Sequence, residues 1–425
     1  MNITNFKWFR QLLLTSIYIL GVLGIVGSGG GFECALDGFL DDCNDVPWSF
    51  PPPLPPNFTI LVVPVGGGAE GFNDTVSSIA PALDSSDDVY VGGSFTIYKN
   101  SVANRIARIN NDGSLDTGFV TGTGFDAPAY TVSPANDGSG DVYAGGSFTS
   151  YDGTAVGYIA RLNLDGTLDT VFDTGTGFSS EVTIIAPAID GSGDVYVGGS
   201  FTTYNGSTVG SGLIRLNDDG SVDAEFSTGS EWGESIITLA TDGSGDVYVS
   251  RSSGPGIARL NNDGSIDAGF DTGTPGFNDE VRAIAVATDG SGDVYVAGYF
   301  DDYNGTGNRG IVRLNSDGSL DTGFNTTGVY VNEGNFITPA IDGSGDIYVG
   351  SKSVAGIDRL NGDGTRDTGF ETGLGRYGGF GDSPNSVALA TDGSGDIFVG
   401  GSFTRYNLIP AARIARLTAE GAFVR

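Results

Sequence analysis

The sequence predicts an all-β fold, a seven-bladed β-propeller built from four-stranded repeats of about 50 residues. The first observation is a recurring phrase, written DGSGDVYVGGSFTTYNG in its most complete copy at 190–206. The second is its period, because the opening Asp returns at intervals of 47 to 53 residues, at Asp84, Asp137, Asp190, Asp242, Asp289, Asp342 and Asp392. The third is that each copy alternates short apolar runs with Gly, Asn and Asp turn signals. A fixed period of this size is typical of repeat architectures.

The composition excludes several classes of protein. The chain has 71 glycines without a short Gly-X-Y period, and 39% of its residues are apolar, so neither collagen nor a disordered chain fits. Acidic residues outnumber basic ones by 52 to 20, for a net charge of −32. Such a surface repels nucleic acid and anionic lipid, so we expect neither as a partner. The absence of histidine removes the Ser-His-Asp triad and every His-based metal site.

Residues 1–28 have the pattern of a secretory signal peptide. Lys7 and Arg10 form a basic front, a 15-residue apolar run follows over 12–26, and small residues stand at 27–28. The apolar run is shorter than the ~20 residues of a membrane span. An uncleaved anchor is the alternative. We therefore predict export, to the cell surface or beyond it, without membrane insertion after the signal is removed.

Residues 29–57 form a predicted spacer between the signal and the repeats. Cys34 and Cys43 are the only cysteines, and in an exported protein we expect them to form one small disulfide loop. Two free thiols are the alternative. The stretch PWSFPPPLPP at 47–56 then predicts a semi-rigid polyproline segment.

The predicted propeller covers 58–425, and its third copy shows the four strands of a blade best. Apolar or alternating runs predict strands over 182–189, 195–204, 213–217 and 221–226. The turn Asp190–Asp194 joins the first two, and Asp218-Asp219-Gly220 is a hairpin signal between the last two.

The two ends of the array predict how the ring closes. The last copy stops at Arg425, before the Asp-Thr-Gly-Phe segment that ends a typical fourth strand. An unassigned apolar segment, Phe58–Val65, precedes the first copy at the matching position. We predict that it completes the seventh blade, which removes exposed sheet edges.

The repeated sequence motif also resembles a known family. GDVYVGGSFT followed by IARLNxDGSLDTGF resembles the delta-60 repeat family of bacterial β-propellers, and it is similar to related repeats that contain DSSGNVYV. The resemblance covers about 66–425, although the fourth and sixth copies lack the Ser-Phe-Thr segment. It implies an exported or surface-associated propeller and brings no catalytic residues.

The acidic turn after each third strand is a candidate calcium loop. Its oxygen-bearing residues lie two and four positions apart around a Gly, a spacing that can wrap Ca²⁺. The candidates in the first two copies are Asn110, Asp112, Asp116, Asn163, Asp165 and Asp169. Because the place of the first EF-hand ligand holds Arg108, we favour the other interpretation, Asx turns that satisfy their own backbone, with no cofactor.

One arginine returns in every copy, at Arg108, Arg161, Arg215, Arg259, Arg313, Arg359 and Arg416. A residue that recurs in each blade is expected to have a structural partner. We predict that this partner is a turn Asp of the same or the neighbouring blade.

A partner site is predicted over the fourth to sixth blades. Both acidic turns of a blade should share one face, and the variable second-to-third loops and inter-blade connections should form the other. There the loops at 251–256 and 351–356 are short, and the connections add Trp232, Tyr330, Arg376 and Tyr377. Aromatic residues beside arginine on exposed loops suit ligand or protein contact. Ordinary loop packing is the alternative.

Together these observations predict a secreted or cell-surface module that binds a protein or a glycan, acts as a monomer and is not an enzyme. One alternative is an extracellular enzyme acting on polysaccharide through carboxylates in the central channel. The apolar channel strands, such as Ile184-Ile185-Ala186, count against it. The other alternative is a calcium-stabilised structural protein of the cell envelope.

Overall fold

The computed structural model describes residues 71–210, 212–228, 232–251, 256–326, 334–351, 356–370 and 379–424. All of them lie in the unit Pro64–Arg425. These ranges contain strands and turns without a helix, and hence no helix able to cross a membrane. The predicted signal peptide, Cys34, Cys43, the proline-rich spacer and the strand at 58–65 lie outside the described residues.

The described chain forms seven three-stranded antiparallel sheets, numbered 1 to 7 here in chain order, with strands paired in the order first–second–third. The first strands are Val76–Pro81, Ala129–Pro134, Val182–Pro187, Trp232–Leu239, Val281–Val286, Gly334–Pro339 and Pro384–Leu389. The second strands are Val89–Gly93, Val142–Gly146, Val195–Gly199, Val247–Arg251, Val294–Gly298, Ile347–Ser351 and Ile397–Gly401. The third strands are Ile106–Ile109, Ile159–Leu162, Leu213–Leu216, Ile257–Leu260, Ile311–Leu314, Gly356–Leu360 and Ile414–Leu417.

The fourth strand of the predicted blade is reduced to a single bridge. In sheet 3 only Val222 pairs with the third strand, through Leu216, and the same one-residue bridge occurs in the other sheets. The reason is that, after this bridge, the chain crosses to the neighbouring sheet. The backbone amide of Asp173, in the second copy, donates to the backbone carbonyl of Asp219 in sheet 3, at 3.0 Å. The segment that follows the bridge therefore contacts the neighbouring sheet.

The long second strand predicted over 195–204 is also shorter than expected. It ends at Gly199, where a Cβ atom would lie 2.2 Å from the carbonyl oxygen of Glu181. The chain bends there and forms a separate hairpin between the second and third strands in sheets 1, 2, 3 and 7. The hairpin strands are Ile97–Tyr98 with Ser101–Val102, Ser150–Tyr151 with Thr154–Ala155, Thr203–Tyr204 with Ser207–Thr208, and Arg405–Tyr406 with Ile409–Pro410.

The core lies between adjacent sheets. The first strand of each sheet contacts the first strands of both neighbours, and this series of contacts includes sheets 7 and 1. Between sheets 1 and 2, for example, Tyr90 packs with Val142 and Phe148. The hydroxyl group of Tyr90 also donates to the carbonyl of Gly140 in the next sheet, at 3.0 Å. Burial of apolar side chains on both faces of each sheet explains why the strands read as nearly continuous apolar runs.

Sheets 1 and 7 meet through the contacts that join consecutive sheets elsewhere. The amide of Phe72 donates to the carbonyl of Ala412 at 3.0 Å, as the amide of Phe125 does to Asn104 at 3.3 Å. Val76 and Phe398 belong to one buried cluster. The bridge position of sheet 7 is filled from the C-terminal side, by Phe423 paired with Leu417.

Candidate functional site

Both acidic turns of a repeat lie at the same end of its sheet, and the recurring arginine joins them. In sheet 1 the guanidinium of Arg108 lies 2.6 Å from Asp84 and 2.9 Å from Asp88, both in the first turn, and 3.4 Å from Asp116 after the second. Burial acts to lower the pKa of Arg108, but its hydrogen bonds to Asp84 and Asp88 outweigh this and raise it. The predicted structural role of the arginine is confirmed. We call this side of the molecule the acidic end.

The same arrangement recurs in every sheet. Each arginine contacts carboxylates of its own repeat, and each guanidinium lies over the ring of a buried aromatic residue of the second strand. In sheet 5, Arg313 donates to Asp289 at 2.5 Å and to Asp293 at 2.9 Å. Hydrogen bonds from Ser291 and Arg313 overcome the effect of burial and lower the pKa of Asp289 to about 2.

Some of these arginines also join adjacent sheets. Arg161 contacts Asp218, Arg215 contacts Asn262, and Arg416 of sheet 7 contacts Asn111 of sheet 1. Each partner is the second residue of the turn after the third strand. In sheet 2 that position is Leu164, which has no side-chain acceptor for Arg108. A recess between sheets 1 and 2 is found there, lined by Asp84, Arg108, Asp141, Leu164 and their neighbours.

The first set of calcium candidates is held by its own turn. Asp112 accepts hydrogen bonds from the amide and the hydroxyl of Ser114, at 2.8 and 2.6 Å, and Asn110 donates to the same hydroxyl at 2.8 Å. Asp116 accepts from the amide of Gly118 at 2.7 Å. These are the contacts of an Asx turn.

The second set has the same pattern. Asp165 accepts from the hydroxyl of Thr167 at 2.6 Å, and Asn163 donates to the same hydroxyl at 2.9 Å. Asp169 is buried and lies 2.5 Å from Arg161. Among the described residues no group of three or more acidic or cysteine side chains has a metal-binding arrangement. Calcium binding stays the untested alternative to the Asx-turn interpretation.

The predicted partner site is described only in part. Tyr330, Arg376 and Tyr377 lie outside the described residues. Trp232 begins the first strand of sheet 4, where its backbone pairs with Arg251 at the end of the second strand. This register puts it at the end of the sheet opposite the acidic turn, as expected. We call that side the open end.

The predicted separation of the loops between two faces holds only in part. In sheets 1 and 2, the hairpin tyrosines Tyr98 and Tyr151 donate to the carbonyls of Gly113 and Gly166, at 2.7 and 2.5 Å. Those glycines belong to acidic turns. The hairpins therefore lie along the third strand instead of standing wholly at the open end. A buried tyrosine hydroxyl needs an acceptor, and the turn carbonyl supplies it.

The open end of sheet 5 carries a cluster that the sequence analysis missed. The guanidinium of Arg282 lies 4.8 Å from the ring centroid of Tyr299, and its Nη2 donates to the tyrosine hydroxyl at 3.2 Å. Glu280 lies 3.5 Å from Nη1. The backbone explains this proximity, because the amide of Tyr299 donates to the carbonyl of Glu280 at 2.8 Å. We call these three residues the Arg282 cluster.

The Arg282 cluster departs from the repeat. At the position of Arg282 the other described first strands have small or neutral residues, including Ser77, Thr183 and Asn385, and Tyr299 replaces the serine of Gly-Gly-Ser-Phe. The side chain of Arg282 is 41% exposed, whereas those of the seven recurring arginines are 5–16% exposed. An arginine on a first strand, coupled to the loss of that serine, was the signal available in the sequence.

Comparison with known proteins identifies the repeat. A family model described as "Domain of unknown function (DUF5122) beta-propeller" matches residues 86–119, 138–172, 191–226, 239–270, 290–324 and 392–423. Six of the seven repeats therefore match a β-propeller repeat family. None of the curated proteins matches this propeller in sequence.

Solved structures share the propeller fold at low sequence identity. The WD40 β-propeller domain of Doa1 is 16% identical, with 82% of this chain and 93% of that chain covered and a TM-score of 0.52. Virginiamycin B lyase from Staphylococcus aureus is 16% identical, with 78% and 94% covered and a TM-score of 0.50. The computationally designed Ika8 protein is 13% identical, with 84% and 88% covered and a TM-score of 0.50. At these identities the likeness concerns the fold alone.

Within this propeller, the acidic end and the open end differ in what their side chains can do. Carboxylates and arginines at the acidic end are paired with one another, repeat after repeat. At the open end of sheet 5, the Arg282 cluster keeps an exposed cation, an exposed carboxylate and an aromatic ring together. This arrangement can bind a ligand through hydrogen bonds and ring contact.

Proposed function

We propose that this chain is an exported, non-catalytic binding module that holds a glycan at the open end of sheets 4 and 5. The observation that carries the proposal is the Arg282 cluster. An exposed arginine fixed against a tyrosine has already lost part of its side-chain freedom, so a ligand can bind it at a smaller entropic cost. The backbone of Trp232 begins the neighbouring first strand at the same end.

The proposal includes a closed ring of seven blades, each formed by one of the seven sheets. Three contacts between sheets 7 and 1 support it: the bond from Phe72 to Ala412, the shared burial of Val76 with Phe398, and the contact of Arg416 with Asn111. A closed ring leaves no sheet edge free for aggregation. Residues 58–65 would then complete the outer side of the ring near this junction.

A binding role is favoured over a polysaccharide-acting enzyme by the composition of the first strands. Enzymes that cleave glycosidic bonds generally use a pair of carboxylates that flank the bond. The seven first strands contain a single carboxylate residue, Glu234, and their other residues are mostly apolar or hydroxylated. The ring lining would therefore lack the second carboxylate.

The remaining parts of the proposal come from the sequence. The N-terminal segment favours export to the cell surface or beyond it, and the net charge of −32 disfavours nucleic acid and anionic membranes. The repeat text favours the delta-60 family within the β-propeller repeat proteins. We keep the calcium-stabilised envelope protein as the alternative, because carboxylate-rich turns occur in every repeat.

A combined glycan and peptide array tests the proposal. The mature chain should bind a small group of related glycans, and Arg282→Ala should lose that binding. Arg309→Ala is the matched control, since it removes the same charge from an exposed loop of the same repeat. Glycan binding that is equal in both variants would place the site elsewhere, and an empty array would remove the support for a glycan-binding role.

A further inference from the structure

We infer that the Arg282 cluster is a subsite for a neutral sugar ring with adjacent hydroxyl groups. This inference rests on the proposed function and specifies its ligand.

The cluster presents a donor and an acceptor next to each other. Arg282 has only donors, and Glu280 in its ionised form has only acceptors, with 3.5 Å between the nearest nitrogen and oxygen. A hydroxyl group can both accept and donate. Two neighbouring hydroxyl groups of a sugar can therefore accept from the guanidinium and donate to the carboxylate at the same time. The hydrogen bonds involve charged partners and are stronger than those between neutral groups.

The charge balance argues against an acidic ligand. Glu280 already neutralises Arg282, so a ligand carboxylate would have to displace it or lie beside it. The chain as a whole carries −32, which adds long-range repulsion for any polyanion. A neutral sugar meets neither obstacle.

The Arg282 cluster is accessible to a ligand, and its guanidinium group is held in one orientation. Arg282 and Glu280 have side chains that are 41% and 50% exposed, so a ligand reaches both without opening the core. Tyr299 is partly buried and its hydroxyl accepts from Arg282 at 3.2 Å, which fixes the guanidinium plane. The tyrosine therefore acts as a positioning residue, and its loss should weaken binding without removing it.

The test uses neutral oligosaccharides and their charged counterparts. Galactose oligomers, galacturonic acid oligomers and the methyl esters of the latter are titrated into the chain by calorimetry, with other neutral hexose oligomers beside them. We expect binding to neutral or esterified oligomers and at least tenfold weaker binding to the free acids. Periodate cleaves the carbon–carbon bond between two adjacent hydroxyl-bearing carbons and leaves two aldehydes, so periodate oxidation of the oligomers should abolish binding. Preference for the free acids, or binding that survives periodate, would overturn the inference.

Matched variants locate the effect. Glu280→Gln should weaken sugar binding at least tenfold, whereas Glu181→Gln changes the equivalent residue of sheet 3, where Thr183 takes the place of Arg282, and should change nothing. Arg282→Lys keeps the charge but loses the planar donor pair, so it should bind more weakly than the wild type. Equal effects of Glu280→Gln and Glu181→Gln would contradict the subsite.

A transplant tests whether the three side chains suffice. Sheet 3 already has Glu181 in the place of Glu280, so Thr183→Arg with Ser200→Tyr would rebuild the cluster there. We expect two sugar sites per chain instead of one, and a folded double variant that still binds one sugar would refute sufficiency. Failure of this inference can be told apart from failure of the proposed function. Binding confined to acidic glycans overturns only this inference, whereas no saturable glycan binding at all overturns the proposed function.

Discussion

Replacing Arg313 by alanine should destabilise the protein more than any exposed substitution. The side chain of Arg313 is 9% exposed and lies between Asp289 and Asp293, with its guanidinium 5.4 Å from the ring centroid of Tyr295. The alanine variant leaves these two carboxylates, and that of Asp321 at 3.4 Å, without a counter-charge, and it removes the cation–π contact. Both losses occur in a partly dry environment, where unpaired charges are costly.

The expected size follows from these contacts. Removing one partner of a buried ion pair costs about 3–5 kcal/mol. The unit Pro64–Arg425 should unfold with an entropy near 0.75 kcal/mol/K, at about 2.1 cal/mol/K per residue. Dividing the lost free energy of unfolding by this entropy gives a drop in Tm of roughly 4–7 °C. The drop should shrink as the pH falls from 3.8 toward 2, because protonation of Asp289 removes its ion pair with Arg313 from the parent protein.

The matched control is Arg366→Ala. Arg366 lies 2.7 Å from Asp358, but its side chain is 37% exposed, and exposed ion pairs contribute at most about 1 kcal/mol. Its Tm should therefore change by about 1 °C or less. Thermal unfolding followed by circular dichroism, checked by urea unfolding, measures both variants. If the two variants melt alike, the recurring arginines do not stabilise the sheets through their buried ion pairs.

Four further predictions concern the acidic end and the ring. Leu164→Asn should give Arg108 the acceptor that Asn262 gives Arg215, and raise stability by about 0.5–1.5 kcal/mol; an unchanged urea midpoint would contradict this. Lowering the pH from 3.8 toward 2 should lower the Tm, because Asp289, with a folded pKa of about 2 against its usual 3.8, contributes stability above pH 3.8 that is lost between these values; an unchanged Tm over this range would be inconsistent with it. EDTA should leave the Tm unchanged if the turns are Asx turns, whereas a fall of several degrees that calcium reverses would favour the calcium interpretation. Deleting 58–65 should expose a sheet edge and cause aggregation detectable by light scattering; a monomeric variant with the parent's Tm would remove the closure role of this segment.

The fold was largely predictable from the sequence, because the same physical rules repeat in each copy. The strand positions and the acidic turns follow from apolar runs bounded by Gly, Asp and Asn. The lengths of the second and fourth strands did not follow. The break at Gly199 depends on close approach to Glu181, and the single bridge at Val222 depends on the chain crossing to the next sheet. Both are contacts between segments, and a strand propensity carries no information about them.

The candidate site was predictable only as a region. Aromatic residues near arginine in the fourth to sixth copies indicated the open end, and the backbone of Trp232 lies there. The Arg282 cluster was missed because its members are separated by up to 19 positions in sequence, from Glu280 to Tyr299. They come together only through the pairing of the first and second strands of sheet 5. Comparison of equivalent positions between repeats would have drawn attention to Arg282.

The most direct test of the binding function is a calorimetric titration of the glycan selected on the array, followed by chemical analysis of the recovered glycan. The proposal predicts saturable binding at one site per chain, its loss in Arg282→Ala, its retention in Arg309→Ala, and a glycan recovered intact. A cleaved glycan would instead indicate an enzyme. Undiminished binding in Arg282→Ala would contradict the assignment of the site to the open end of sheet 5.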